Sequence, residues 1–189
     1  MDVRTLHRAT VDRWQQLLDG VPENAWEAPT PCTEWDVRAL VNHVVGEELW
    51  LPPLLSGMTI AEVGDRFDGD LLGTDPKDAG RRAADAAVTS GDGVADGDRV
   101  QLSYGEEAAT EYLMQLAADH LIHGWDLAAA SGQDRGLDPE LVEAVAVWFR
   151  DREELYRAAS IIGPRGTLTS DPAADLLAAF GRATEWSPG

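Results

Sequence analysis

Cysteine is all but missing from this chain: among 189 residues only Cys32 carries a thiol. That excludes an intrachain disulfide and a cysteine-rich zinc site. Lysine is equally scarce, with Lys77 alone, and Lys+Arg total 15 against 34 Asp+Glu, a formal charge of −19. Nucleic-acid backbones and anionic membranes are bound by basic stripes, so neither is an expected partner. No apolar run approaches the ~20 residues that span a bilayer. The first residues carry charges where a signal peptide has an apolar core, so the expected location is cytoplasmic. A phosphate loop, a dinucleotide fingerprint and a Gly-x-Ser-x-Gly elbow are also absent. The acid excess favours a cation, either a metal ion or a basic partner, with solubility alone as the plainer reading.

What is present is helix signal over most of the length. Residues 2–19 place Leu6, Val11, Trp14, Leu17 and Leu18 at helical spacing, closed by Gly20 and Pro22. After a Pro-rich loop, Thr33 with Asp36 resembles a capping box for a helix over 34–50, which Pro52-Pro53 stop. Thr59 with Glu62 marks a short helix. Asp75-Pro76, Asp138-Pro139 and Asp171-Pro172 share one start signal and predict helices over 76–89, 139–159 and 172–182. A long helix is expected over 106–131, stopped by Ser131-Gly132. The stretch 91–104 is least helical, and a small hairpin near 93–104 or a plain loop both fit its turn formers and its Val100, Leu102, Tyr104 alternation. The four substantial helices are 2–19, 34–50, 106–131 and 139–159. Each must bury its apolar stripe, so the expectation is an all-α bundle, one domain over 1–189 with 160–189 as a short C-terminal extension.

Chemistry is confined to few residues. Asp119 and His123 stand four apart, on one face of the long helix, and His43 faces inward among Val41, Val44 and Val45. If their helices are neighbours, two imidazoles and a carboxylate converge, a set suited to zinc with an open position or to Fe²⁺. Chance spacing in an Asp-rich chain is the competing explanation. Glu47, one turn after His43, is either a fourth ligand, a supporting base or a solvated acid. Asp126 either orients His123 through its second ring nitrogen or bonds on the helix surface. His120 lies ~100° around the helix from Asp119 and should miss the same metal. His7 is expected to be structural or solvated. Trp35, Trp50 and Trp125 flank these segments as core or pocket lining. Cys32 precedes a helix start, but no base is evident beside it, so a structural role is expected.

Three segments carry a family resemblance. Thr30-Pro-Cys-Thr-Glu-Trp-Asp-Val-Arg-Ala-Leu-Val-Asn-His43-Val-Val-Gly46 resembles the signature of mycothiol-dependent maleylpyruvate isomerase-like proteins. Ala118-Asp119-His-Leu-Ile-His123-Gly-Trp-Asp-Leu-Ala128 resembles their second metal-binding segment, and Leu-Leu-Ala-Ala-Phe-Gly-Arg182 the end of a short actinobacterial branch. The resemblance implies a DinB-like four-helix bundle holding a divalent metal, usually zinc, with nickel or iron as alternatives, on His43, Asp119 and His123. Asp119 departs from the glutamate of the isomerase. The resemblance further implies a small-molecule thiol, mycothiol, and an electrophilic substrate as partners, in a transferase or isomerase reaction. The rival expectation is a non-catalytic metal-binding module for stress response or protein interaction. Pairing into a homodimer is left open.

Overall fold

The computed structural model describes residues 1–188, and its elements follow the local signals closely. In chain order they are α1 (Val3–Asp19), α2 (Val37–Leu55), α3 (Ile60–Val63), α4 (Pro76–Asp92), β1 (Arg99–Leu102), β2 (Gly105–Ala108), α5 (Ala109–Ser131), α6 (Pro139–Phe149), α7 (Glu153–Ala158) and α8 (Pro172–Ala179). Asp75, Asp138 and Asp171 each cap their helix, accepting a first-turn backbone N–H, with proline in the first turn behind. Thr59 and Glu62 form a full capping box on α3. Gly132 ends α5 in the left-handed conformation, at φ 71°.

α1, α2, α4 and α5 pack as a four-helix bundle, with α1 and α2 each against both α4 and α5. The fold is thus mostly helical, with one small hairpin. The fourth bundle helix is α4, not the 139–159 segment. α4 buries Ala79, Gly80, Ala83, Ala84, Ala87 and Gly91, a face of small residues that reads weakly as an apolar stripe. α6 lies outside the bundle and packs with α8.

Four local expectations need correction. α2 starts at Val37, and its cap is Asp36, which accepts the Ala39 N–H at 2.8 Å; Thr33 is not the cap. Pro52 and Pro53 do not stop α2, which continues to Leu55. Each merely frees the carbonyl four residues back, which the last turn tolerates. The hairpin spans 99–108, so residues 106–108 are strand, paired with 99–101, and α5 begins at Ala109. The 139–159 helix is broken after Phe149. There Arg152 turns back, donating to the Trp148 carbonyl at 2.9 Å and to both Glu111 oxygens at 2.7 and 2.9 Å. Tertiary pairing overrides the continuing helical spacing, and Leu155 ends 67% exposed.

No described helix is long and apolar enough to cross a membrane.

Candidate metal centre

Two elements and one loop build the site. His43 comes from the middle of α2, Asp119 and His123 from one face of α5. The loop before α2 is tightened by the buried Thr30, whose hydroxyl lies 2.9 Å from the Trp35 carbonyl and accepts the Cys32 N–H at 3.1 Å. That turn brings Trp35 over both imidazoles, with ring centroids 4.7 Å from His43 and 5.7 Å from His123.

The structure brings His43, Asp119 and His123 together, with one ligand atom from each within 4.8 Å of the others. His43 Nε2 lies 3.4 Å from Asp119 Oδ2, and His123 Nε2 lies 3.4 Å from Asp119 Oδ1. Asp119 Oδ2 is buried and has no hydrogen-bond partner among the described residues. A buried carboxylate oxygen normally has one. Two imidazoles and a carboxylate with an orphaned oxygen are a donor set that fits a divalent cation.

Burial opposes charge on Asp119, but the His123 and His43 imidazoles hold its carboxyl well below the usual range. Burial also opposes charge on His123, and Asp119 and Asp126 hold it well above the ordinary imidazole value. Glu47 is pushed up, by burial and then by the Asp119 charge. It lines the same cavity but is not in the set within 4.8 Å.

Behind His123 sits a second layer. Asp126 is fully buried, and its Oδ2 lies 2.9 Å from His123 Nδ1. Arg182 Nη2 donates to that oxygen at 2.7 Å and to Cys32 Sγ at 2.9 Å. Cys32, His123 and Asp126 also form a three-ligand group, but the guanidinium already supplies the positive charge there. Cys32 is not isolated from polar groups: its sulfur lies 3.9 Å from His123 Nδ1.

The set opens on a cavity of about 1630 Å³, walled by Trp35, Tyr104, Trp148 and Tyr156. Trp50 and Trp125 do not line it. Trp50 packs on Phe67, and Trp125 lies in the core under Arg135. Their helical positions turn them away, and Trp148 from α6 takes the wall position instead. His120 points elsewhere too, its Nε2 3.1 Å from Glu48 in the core.

Residues 7–128, the bundle itself, match the family described as mycothiol maleylpyruvate isomerase N-terminal domain. The chain belongs to that family. Two uncharacterised proteins from two strains of Mycobacterium tuberculosis are each 32% identical over 195 residues, covering 95% of this chain and 97% of theirs. Among solved structures, a histidine-to-alanine mutant of a mycothiol-dependent maleylpyruvate isomerase has the same fold, with TM-score 0.60 and 13% identity. The likeness covers 75% of this chain and 65% of that one, so this chain spans about two thirds of that structure's length.

Glu111 and Glu48 are site and core residues that the sequence did not mark out, and Arg182 stood only at the end of a resembling segment, with no role. Arg182 reaches Cys32 across 150 positions, and no local spacing encodes such a contact.

Proposed function

We propose that this protein holds a divalent metal, zinc first with nickel or iron as alternatives, on His43, Asp119 and His123. There it joins a low-molecular-weight thiol of the mycothiol type to a small electrophile, by transfer or isomerisation. The observation that carries this is the orphaned Asp119 Oδ2 between two imidazoles at the floor of a cavity. When bound, such an ion supplies charge that keeps a thiol ionised at neutral pH. The cavity has room for a thiol and a second substrate together.

The chain's own residues set the rest. Trp35 covers one side of both imidazoles and keeps water from that face. Glu47, its carboxyl pushed up by burial and by Asp119, is suited to hold the proton a thiol gives up. Both arginines that line the cavity are committed: Arg152 to Glu111 and Arg182 to Asp126. Glu34, Glu47, Glu107 and Asp151 line it too. A dicarboxylate such as maleylpyruvate therefore meets acids and no free guanidinium, and a neutral or amine-bearing electrophile fits better. A fourth position closed by Glu47 or by a partner would favour the non-catalytic reading, and Glu47 lies outside the close set.

The test is elemental analysis of untagged protein, then thiol-conjugation assays on neutral, amine-bearing and dicarboxylate electrophiles. About one metal equivalent is expected in wild type and none in His43→Ala or His123→Ala, with conjugation only in metal-loaded protein. Wild type that takes up no zinc when it is offered, or conjugation that persists without metal, overturns the reading.

A further inference from the structure

We propose that Arg182 is a positioning residue for the metal centre, acting through Asp126 on His123; this rests on the metal reading above. Arg182 lies outside the span that matches the family, in the segment that follows α8. Its guanidinium grips both oxygens of Asp126: Nε at 3.1 Å from Oδ1 and 3.2 Å from Oδ2, and Nη2 at 2.7 Å from Oδ2. Asp126 is completely buried, so its charge needs a compensating partner, and Arg182 is the cation in contact with it.

With these donors fixed on it, Asp126 acts as an acceptor, and His123 Nδ1 donates to it at 2.9 Å. With the Nδ1 proton held there, Nε2 is the nitrogen that gives up its proton to offer a metal its lone pair. Nε2 of His123 then faces Asp119 and His43 as a ligand atom, in a ring whose rotation is locked. Without the guanidinium the buried carboxylate loses its counter-charge and its grip on the ring loosens.

The C-terminal segment is built to deliver this side chain. Phe180 stacks on Phe149 of α6 with ring centroids 3.9 Å apart. Gly181 then turns at φ 78°, and the Arg182 N–H returns to the Leu177 carbonyl at 2.8 Å. Nη1 of Arg182 donates to the Phe180 carbonyl at 2.8 Å, fixing the head group. The turn after α8 thereby sets a ligand histidine 59 positions before Arg182 in the chain.

The experiment compares wild type, Arg182→Met, Arg182→Lys and Val63→Ala. Zinc affinity is measured by competition with a chromophoric chelator, and folding by circular dichroism and thermal melting. Val63 is buried in α3, in the cluster around Leu51 and Leu54, and does not line the cavity, so its variant destabilises the fold without touching α8. Arg182→Met is expected to bind zinc about 10–100-fold more weakly. Arg182→Lys, which keeps the charge and guards against a folding failure of the Met variant, recovers part of that loss. Val63→Ala melts earlier with zinc affinity unchanged. Zinc binding by Arg182→Met within about threefold of wild type overturns the proposal, as does an equal loss in Val63→Ala, which would make the effect one of general stability. Proton NMR of the metal-free proteins separates the two readings. A His123 Nδ1 proton present in wild type and lost in Arg182→Met, in protein that binds no zinc, sinks the metal function and leaves the positioning contact standing.

Discussion

His7 illustrates how much the interior of this bundle dictates to single residues. Its ring is buried, its Nε2 has no partner, and the His120 ring lies 6.0 Å away edge-on. Burial, followed by repulsion from His120 and Arg8, pushes its pKa down to about 3. Unfolding restores the ordinary 6.5, so the unfolded chain binds the extra proton between pH 6.5 and 3 and the folded state loses stability as pH falls through that window. Urea unfolding at pH 7 and pH 4.5 should find wild type losing ~2–3 kcal/mol more than His7→Leu over that interval. Equal losses would place a charged, hydrated His7 in the fold. The neighbouring His120 and Glu48 are raised, which is the opposite sign, so the difference between variants is the quantity to read. At this scale the sequence was legible where spacing is local. Asp119 and His123 share a helix face because they stand four apart, and Asp126 reaches His123 because it stands three beyond it. His43 needed only an inward-facing position on α2. Glu48 with His120, 72 residues apart, and Arg182 with Asp126, 56 apart, depend on the assembled fold and left no local trace.

α4 is the element whose role was hardest to read and whose packing is least tolerant. Its buried face carries alanine and glycine where α1 and α2 carry leucine and valine. Small residues let α1 and α2 approach closely, and at Gly91 the approach is tight. A Cβ there would lie 2.9 Å from His7 Nδ1 and 3.2 Å from Leu113 Cδ2. Alanine is favoured over glycine by ~1 kcal/mol within a helix, but overpacking a core typically costs ~1–3 kcal/mol. With a buried ring and a buried leucine both in the way, the steric term should win. Gly91→Ala is expected to unfold at lower urea than wild type with an unchanged slope, and a stabilised variant would mean His7 moves freely. The three Asp-Pro helix starts were the most legible feature, since aspartate caps act on the next three residues only. The break between α6 and α7 was not, because it follows from Glu111 drawing Arg152 and Trp148 across 37–41 positions. β2 was hidden for a similar reason: Glu106 and Glu107 favour helix by themselves, and only pairing with Gln101 and Val100 makes them strand.

Across the whole molecule, the hydrophobic interior is complete without the proposed metal. Three clusters of buried side chains hold the bundle and its flanking helices, and His43, Asp119 and His123 stand at the edge of a cavity between them. Metal-dependent domains that unfold on chelation are small and lack such a core; 189 residues with these clusters do not need an ion to fold. Chelation should therefore leave the far-ultraviolet circular dichroism unchanged. Binding still stabilises by mass action, since an ion held by the native site and not by the unfolded chain shifts the equilibrium. At free zinc 100-fold above Kd the gain is ~2.7 kcal/mol, which for a chain of this length raises Tm by about 5–10 °C. The ion must displace the proton that His123 holds, so the zinc-dependent rise should shrink as pH falls. Scanning calorimetry with and without zinc at pH 7.5 and pH 5.5 reads both effects. Loss of helix on chelation would instead assign the ion a structural role and favour a non-catalytic module. A helical apoprotein whose Tm climbs with zinc fits a site kept open for chemistry, on a scaffold that folds without it.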